Sequence, residues 1–342
     1  MGDHVAVAGA GSWGTALAVL IARNGFPVRL WGHNPDHVAL LAGERRNRRY
    51  LPNTEFPAAL AVESDLGRAL EGCAAVLVAV PSHAFRSTLA AMAAVLPADC
   101  PVAWATKGLE DRSTQLLQQV VAAELGPQRA MAVLSGPTFA GEVAAGQPTA
   151  ITVAASSPRF AQFLVDRLHN RSFRTYTTDD LIGVQLGGAT KNVLAIAAGV
   201  ADGLGFGANA RAALITRGLS EMMRLGMVLG GRRETLMGLA GVGDLILTCT
   251  DNQSRNRRFG LGLGQGWPRQ QIVADIGQEI EGIVTAATLY RLATASGVDM
   301  PISEQVYRIL YQGMAPAEAV DNLLLREPKA ELMGTPAIGR AG

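Results

Sequence analysis

The chain contains few cysteines, few charged residues and no excess of one charge. Its 342 residues include three cysteines, and 30 Lys and Arg stand against 29 Asp and Glu, which gives a net charge of +1 at pH 7. Without a basic field, nucleic acid is not expected as a partner. Cys73, Cys100 and Cys249 are far apart and form no CxxC pair, so neither disulfides nor a zinc site is expected. This cysteine usage favours a reducing cytoplasm.

A secretion signal and long apolar runs are also lacking. The first residues lead straight into a candidate strand, without a basic segment followed by an apolar one. The longest uncharged run, residues 143–158, is too short to cross a bilayer and is interrupted by Gln147 and Pro148. We therefore expect no membrane span and a cytoplasmic location.

Small and apolar residues are abundant, since hydrophobic types make up 49% of the chain and glycine supplies 39 residues. This composition suits closely packed helices and an extensive buried core. A chain of 342 residues is longer than one core usually fills, so two domains are expected.

The first half alternates short apolar runs with helical patterns, which is typical of βαβ units and a parallel sheet. The expected strands cover residues 5–8, 28–31, 75–80, 102–105, 132–134 and 151–153. The expected helices cover residues 14–24, 113–124 and 184–200. After about residue 176 the strand signals fade and helical patterns continue alone. The sequence therefore predicts an α/β protein with a Rossmann-type, mostly parallel sheet over 1–180, an all-helical domain over 181–330 and a loose tail over 331–342.

A glycine-rich turn, Gly9-Ala10-Gly11-Ser12-Trp13-Gly14, follows the first expected strand and opens the first expected helix. Glycines let the backbone approach a pyrophosphate, and the helix N-terminus supplies amide donors and a partial positive charge. Because this GxGxxG lies between a strand and a helix, it favours dinucleotide binding over a glycine turn without a ligand.

The second expected strand ends without the acid that usually bonds the adenosine ribose in NAD-preferring domains. Residues 30–34 contain no carboxylate, and Asp36 is the first acid. Four arginines follow at Arg45, Arg46, Arg48 and Arg49. The pattern favours NADPH, or tolerance of both NADPH and NADH, and a solvated basic loop remains the alternative for residues 44–49.

Two histidines, His33 and His37, have a spacing that holds a metal ion on some helices. No third ligand of matching geometry accompanies them, and Pro35 interrupts a helix at this point. We therefore expect no metal site.

Three charged residues stand in apolar or glycine-rich surroundings. Lys107 directly follows an expected strand, which places its amine over the edge where ligands bind in open α/β sheets. Lys191 lies in an apolar helical pattern, where burial of an ammonium is costly and lowers its pKa. Asp244 lies among glycines. If Asp244 is the ion-pair partner of Lys191, the same pair would stabilise the structure and take part in catalysis.

A polar helix start follows this aspartate. Ser254 can cap a helix, Arg255 offers a planar guanidinium suited to phosphate, and Asn256 offers an amide donor. The alternative is a basic helix start that faces solvent. Only the combination with Lys191 and Asp244 favours a phosphate site.

Six segments carry a resemblance to a known family, and they are residues 9–14, 106–110, 135–140, 191–193, 203–210 and 241–258. Together they closely resemble bacterial NAD(P)-dependent glycerol-3-phosphate dehydrogenase, and the resemblance extends from about residue 5 to residue 325. It implies reversible reduction of dihydroxyacetone phosphate to sn-glycerol 3-phosphate, which supplies glycerophospholipid synthesis. It also implies NADPH/NADP as cofactor, with NADH/NAD accepted as well, and a homodimer.

The resemblance further implies the residues of each subsite. Those against the cofactor are Gly9, Gly11, Ser12, Trp13, Gly14, His33, Lys107, Ala140, Arg255, Glu279 and Glu281. Those around the substrate are Lys107, Gly136, Thr138, Lys191, Asp244, Ser254, Arg255 and Asn256. Lys191 would be the general acid or base, oriented by Asp244, and Lys107 would add positive charge. The family usually has an apolar residue at Glu279, where only a backbone contact is expected.

Two other functions remain open on the sequence. A two-domain dehydrogenase for hydroxy acids or sugar acids would have less use for a phosphate site at residues 254–256. A dinucleotide-sensing regulator without turnover would lack Lys107, Lys191 or Asp244, and all three are present.

Overall fold

The computed structural model describes residues 3–327, and the tail expected at 331–342 lies outside them. The strands are β1 His4–Ala8, β2 Val28–Trp31, β3 Arg46–Asn47, β4 Leu51–Glu55, β5 Leu60–Glu63, β6 Cys73–Val78, β7 Val102–Trp104, β8 Met131–Ser135, β9 Thr149–Ala155 and β10 Phe173–Thr178. Eight of them form one sheet in the order β10-β9-β8-β7-β6-β1-β2-β5, and β3 pairs with β4 apart from it. Every pair in the large sheet is parallel except β8 with β9.

Helices connect and cover these strands. Those in the first half are α1 Ser12–Arg23, α2 Pro35–Glu44, α3 Leu66–Leu70, α4 Ser82–Ala93, α5 Leu117–Leu125, α6 Ala140–Ala145 and α7 Pro158–Leu168. Those in the second half are α8 Leu181–Gly203, α9 Ala208–Val228, α10 Arg233–Leu236, α11 Asp244–Thr250, α12 Arg255–Gly264, α13 Arg269–Ile276, α14 Glu281–Ala295, α15 Pro301–Tyr311 and α16 Pro316–Leu324. A π-helical segment, Leu239–Gly243, precedes α11. Within residues 3–327 no strand follows β10, so the predicted fold class is confirmed.

All six expected strands are present, with ends shifted by up to two residues, but β3, β4, β5 and β10 were not predicted. β10 is buried chiefly at Phe173 and is otherwise polar, so it lacks the apolar run that marks a central strand. The expected helix start at Ser113 was wrong, because the Glu110 carboxylate accepts hydrogen bonds from Ser113 and holds a turn there. Thr114 also adopts a positive φ of 61°, which is incompatible with a helix.

The long helix α8 forms the centre of the second half. Asp180 caps it by accepting a hydrogen bond from the Gly183 amide at 2.8 Å. Within the described part of the chain, it is the one helix long and apolar enough to cross a membrane, but 89% of its apolar window is buried inside the protein. Its length and composition therefore reflect a core helix. The division of the chain into two domains near this point remains a prediction.

Glycines let α12 pack directly against α8. A Cβ on Gly199 would lie 2.1 Å from the Arg257 carbonyl oxygen, and one on Gly260 would lie 2.1 Å from that of Ile196. Side chains at these positions would force the helices apart, because a contact this short is forbidden. The close approach places the start of α12 next to the polar residues of α8, including Lys191.

Candidate active site

A cavity of about 760 Å³ lies where the carboxyl ends of the central strands meet α8 and α12. This is the edge at which open α/β sheets bind ligands, and the volume suits a small-molecule or cofactor site. The expected site residues that line it are Gly9, Gly11, Ser12, Trp13, His33, Lys107, Thr138, Ala140, Lys191, Ser254, Arg255, Asn256, Glu279 and Glu281. Gly14, Gly136 and Asp244 are not part of the lining and lie next to it.

The turn after β1 is shaped by its glycines. Gly9 has a φ of 121°, and a Cβ on Gly14 would lie 1.9 Å from the Gly9 carbonyl oxygen, so neither position tolerates a side chain. Around Gly11, by contrast, no atom lies within 4 Å of an added Cβ, which leaves open space before the N-terminus of α1. The Trp13 indole N–H is buried without a hydrogen-bond partner. This cradle and its unpaired donor fit a dinucleotide phosphate.

Three of the four arginines after α2 are engaged with other parts of the protein. Arg45 donates to the carbonyl oxygens of Leu60 and Pro57. Arg46 forms a salt bridge with Glu55, and Arg48 forms one with Glu44. Arg49 is different, because it lines the cavity, and its guanidinium lies 5.3 Å from the centroid of the Tyr50 ring. Of the four arginines, Arg49 is therefore the one that lines the cavity and has no hydrogen bond or salt bridge within residues 3–327.

Two of the three lysines in the chain meet on one aspartate. The Lys191 Nζ lies 2.5 Å from Asp244 Oδ1, and the Lys107 Nζ lies 2.8 Å from Oδ2. Lys107 also donates to the Gly136 carbonyl oxygen at 3.0 Å. These three side chains form the lysine–aspartate cluster (Lys107, Asp244 and Lys191), with the aspartate 1% exposed behind the two ammonium groups.

Burial and mutual charge set the protonation of this cluster. Burial lowers the pKa of Lys191 to about 8, although Asp244 opposes the shift. For Asp244, burial favours the neutral acid, but the ammonium groups of Lys107 and Lys191 outweigh it and hold the pKa below its ordinary value. At neutral pH the aspartate is thus ionised, and the pKa of Lys191 lies close to neutral pH.

The start of α12 provides a second cationic feature. Ser254 caps the helix, because its Oγ accepts a hydrogen bond from the Arg257 amide at 3.2 Å. Arg257 is buried and bonds to Asp202, so it is structural. The half-buried Arg255 lines the cavity, and within residues 3–327 its guanidinium has no hydrogen bond or salt bridge. Burial lowers its pKa, as expected for a partly desolvated cation.

These features agree with the comparisons to known proteins. Two family models match, the N-terminus of NAD-dependent glycerol-3-phosphate dehydrogenase over residues 4–161 and its C-terminus over residues 180–321. A protein of Methylococcus capsulatus named glycerol-3-phosphate dehydrogenase (NAD(P)+) is 64% identical over 328 residues, which cover 96% of this chain and 98% of that protein. The chain belongs to this family of NAD(P)-dependent glycerol-3-phosphate dehydrogenases.

Solved structures support the same assignment. The crystal structure of glycerol-3-phosphate dehydrogenase from Coxiella burnetii is 51% identical, with a TM-score of 0.93 over 95% of this chain and 99% of that one. A D-mandelate dehydrogenase structure is 14% identical with a TM-score of 0.61, so it shares the fold alone. The chain is therefore an NAD(P)-dependent oxidoreductase of the glycerol-3-phosphate dehydrogenase family. The hydroxy acid and regulator alternatives are set aside.

Glu281 and Glu279 were expected at the cofactor, and both line the cavity. The Glu281 carboxylate accepts hydrogen bonds from the amide and the hydroxyl of Ser82, at 3.0 and 2.6 Å. Burial raises the pKa of Glu281 in spite of these bonds. Glu279 lies 3.7 Å from the His83 ring nitrogen. Glu281 therefore joins the start of α14 to the start of α4 across the cavity.

Sequence reasoning missed Thr248, which touches the cluster directly. Its hydroxyl accepts a hydrogen bond from Lys191 at 3.0 Å and donates one to the Asp244 carbonyl oxygen at 2.6 Å. The available signal was its position four residues after Asp244, on the same face of one helix.

Two asparagine side chains link α8, α12 and α14 beside the cavity. Asn192 donates to the Lys107 carbonyl oxygen at 3.0 Å and accepts from Asn256 at 2.9 Å. Asn256 in turn accepts from the Gly282 amide at 2.9 Å. Asn256 was expected at the substrate, and the structure gives it a positioning role between α8 and α14 as well.

Proposed function

We propose that the protein catalyses the reversible reduction of dihydroxyacetone phosphate to sn-glycerol 3-phosphate, with NADPH and also with NADH. The observation that carries the proposal is the lysine–aspartate cluster, whose two lysines line the same cavity as the glycine turn and Arg255, a residue without a salt bridge within residues 3–327. A proton donor for a ketone oxygen and a cation for a phosphate are thus available beside the glycine turn that fits a dinucleotide. The product would supply glycerophospholipid synthesis.

The reduced nicotinamide supplies the hydride when it is bound. As the ketone carbon is reduced, negative charge develops on its oxygen, and the Lys191 ammonium stabilises that charge and donates the proton. Asp244 holds the ammonium in place and keeps it charged. Lys107 adds positive potential, and its Nζ also lies 5.9 Å from the centroid of the Trp13 ring, on the cofactor side.

The phosphate of the substrate would bind at the start of α12. Arg255 offers a guanidinium that has no hydrogen bond or salt bridge among the described residues, 3–327, and the Ser254 hydroxyl can still donate because its oxygen acts as the acceptor in the cap. Binding energy from this non-reacting group holds the carbonyl in line for transfer.

The direct test mixes the purified protein with dihydroxyacetone phosphate and either NADPH or NADH and follows the loss of nicotinamide absorbance. We expect turnover that requires the phosphate, so dihydroxyacetone itself should be a poor substrate. Absence of turnover with both cofactors would refute the proposal. The resemblance also supports a homodimer and a cytoplasmic location, and light scattering tests the first of these.

Replacing Arg255 with alanine is expected to raise the KM for dihydroxyacetone phosphate about 10- to 100-fold, since a charge-assisted hydrogen bond contributes about 1.5–3 kcal/mol. The matched control is Arg159→Ala, which removes an exposed arginine from the first turn of another serine-capped helix, α7. Steady-state kinetics at saturating cofactor give both values. An unchanged KM in the Arg255 variant, or an equal rise in the control, contradicts the anchor.

Replacing Arg49 with glutamine is expected to raise the KM for NADPH about tenfold or more and to change the KM for NADH little, because only NADPH carries a phosphate on the 2′ oxygen of its adenosine ribose. Arg48→Gln is the control, since Arg48 is exposed and paired with Glu44. The ratio of kcat/KM for the two cofactors measures the effect. Equal losses with both cofactors would show that Arg49 does not contact that phosphate.

A further inference from the structure

Two of the three cysteines meet in space, although the sequence separates them by 27 positions. The Sγ atoms of Cys73 and Cys100 lie 3.5 Å apart in a thiol–thiol contact. Cys73 begins β6, and Cys100 lies two residues before β7, its parallel neighbour in the sheet. Strand pairing brings the two segments together, which the spacing of the cysteines in the sequence did not show.

The surroundings make the two sulfurs unequal. The hydrogen bond from Cys100 lowers the pKa of Cys73, and the Arg29 guanidinium acts in the same direction. The contact with Cys73 raises the pKa of Cys100, and burial adds to that shift. Reactive cysteines are those with a depressed pKa beside positive charge, whereas inert ones are buried without it. The Arg129 guanidinium opposes the shift in the pKa of Cys100, so positive charge lies near both sulfurs. We assign Cys73 as the attacking thiol, and Cys100 is the thiol in contact with it.

Exposure separates the pair from the third cysteine. Cys73 is 9% exposed and Cys100 is 5% exposed, whereas Cys249 is fully buried at 0%. Burial raises the pKa of Cys249 to about 12. The pair is therefore slightly closer to solvent than Cys249.

We propose that Cys73 and Cys100 are a site of reversible oxidation by hydrogen peroxide, which closes them to a disulfide that joins the starts of β6 and β7. The Cys73 thiolate attacks one peroxide oxygen and breaks the O–O bond, which gives a sulfenic acid and hydroxide, and the hydroxide takes up a proton to become water. The Cys100 sulfur then attacks the Cys73 sulfur, and its proton leaves with the hydroxyl group as a second water. Two thiols and one peroxide thus give one disulfide and two waters.

The consequence concerns stability and not the catalytic step. Cys73 lies at the amino end of β6, whereas the cavity begins beyond its carboxyl end at Ala79, about 20 Å away at the rise of a strand. A disulfide would close the loop that contains α4 and reduce the freedom of the unfolded chain. We expect oxidation to raise the midpoint of thermal unfolding by several degrees and to leave kcat within twofold.

The test treats the full-length protein with hydrogen peroxide under native conditions, followed by intact mass analysis and peptide mapping without reduction. We expect the loss of two hydrogens, a crosslink between the Cys73 and Cys100 peptides, and reversal by dithiothreitol. Cys100→Ser should stop at a sulfenic acid that dimedone traps on Cys73, Cys73→Ser should resist, and Cys249→Ala should still form the crosslink. Thermal unfolding of the oxidised and reduced forms supplies a readout that does not depend on the variants.

Three outcomes would overturn the proposal. They are gain of oxygen without a crosslink in the wild-type chain, a crosslink that involves Cys249, and an unmodified pair at peroxide concentrations that oxidise free cysteine. Turnover of dihydroxyacetone phosphate is measured separately, so failure of this proposal and failure of the proposed activity are distinguishable.

Discussion

Replacing Lys191 with alanine is expected to lower kcat for reduction of dihydroxyacetone phosphate by about 10²- to 10⁴-fold, the range attributed to a positioned general acid. The substrate oxygen would lose the only ammonium that Asp244 and Thr248 together orient toward the cavity within residues 3–327. The fold should persist, because Asp244 keeps its pair with Lys107 and a costly buried charge is removed. Steady-state kinetics at saturating substrate and thermal unfolding measure the two effects.

The pH profile provides a second readout for the same residue. Reduction needs the protonated amine, so its rate should fall as pH rises through about 8, the pKa that burial gives Lys191. Oxidation of glycerol 3-phosphate needs the neutral amine, so its rate should rise over the same interval. The alanine variant should lose this inflection, and a small primary amine added to the buffer should restore part of the activity. Near wild-type kcat in a folded variant contradicts the acid–base assignment.

Replacing Asp244 with asparagine is expected to impair both stability and catalysis. The substitution removes the negative charge between two ammonium groups, and an unpaired buried charge costs about 3–5 kcal/mol. The loss of Asp244 also removes the interaction that raises the pKa of Lys191, so more of Lys191 becomes neutral at pH 7. We expect kcat for reduction to fall about 10²-fold, with a lower urea midpoint of unfolding.

The pH dependence of stability distinguishes an unpaired charge in Asp244→Asn from a general loss of packing. A lysine whose pKa is lower in the folded than in the unfolded state reduces the free energy of unfolding at low pH. This reduction disappears as pH rises toward the pKa of the lysine in the unfolded chain. The stability difference between Asp244→Asn and wild type should therefore shrink between pH 7 and pH 9.5. Asp275→Asn, at an exposed position on α13, serves as the control and should show no difference at either pH. A difference that stays constant with pH contradicts the electrostatic explanation.

The local motifs were predictable because each depends on neighbours in the chain. The turn at residues 9–14 and the serine cap of α12 follow from backbone rules that act over a few residues, and the structure has both. The polar edge strand β10 and the start of α5 were not predictable in this way. Phe173 is the chief buried residue of β10, and its strand forms because β9 offers hydrogen bonds.

The cavity depends on contacts that join distant parts of the chain. Arg49 and Arg255 line the cavity and have no salt bridge within residues 3–327. Their neighbours Arg45 and Arg257 are bonded to other parts of the protein. The sequence alone could not distinguish the first two arginines from the second two. Nor could it show that the Glu281 carboxylate binds Ser82, 199 positions away. Such choices depend on which groups the fold brings within hydrogen-bonding distance.

The sequence by itself determined the family, the α/β fold class and the kind of cofactor, because these follow from glycine spacing, apolar periodicity and similarity over nearly the whole chain. The tertiary structure decided which charges are paired, which are buried and which face the cavity. Burial lowers the pKa of Lys191 to about 8 against the opposing charge of Asp244, and Cys73 meets Cys100 only through strand pairing. The strength of an electrostatic interaction and the reactivity of a thiol depend on distances and on the exclusion of solvent. Distances and solvent exclusion are properties of the folded chain.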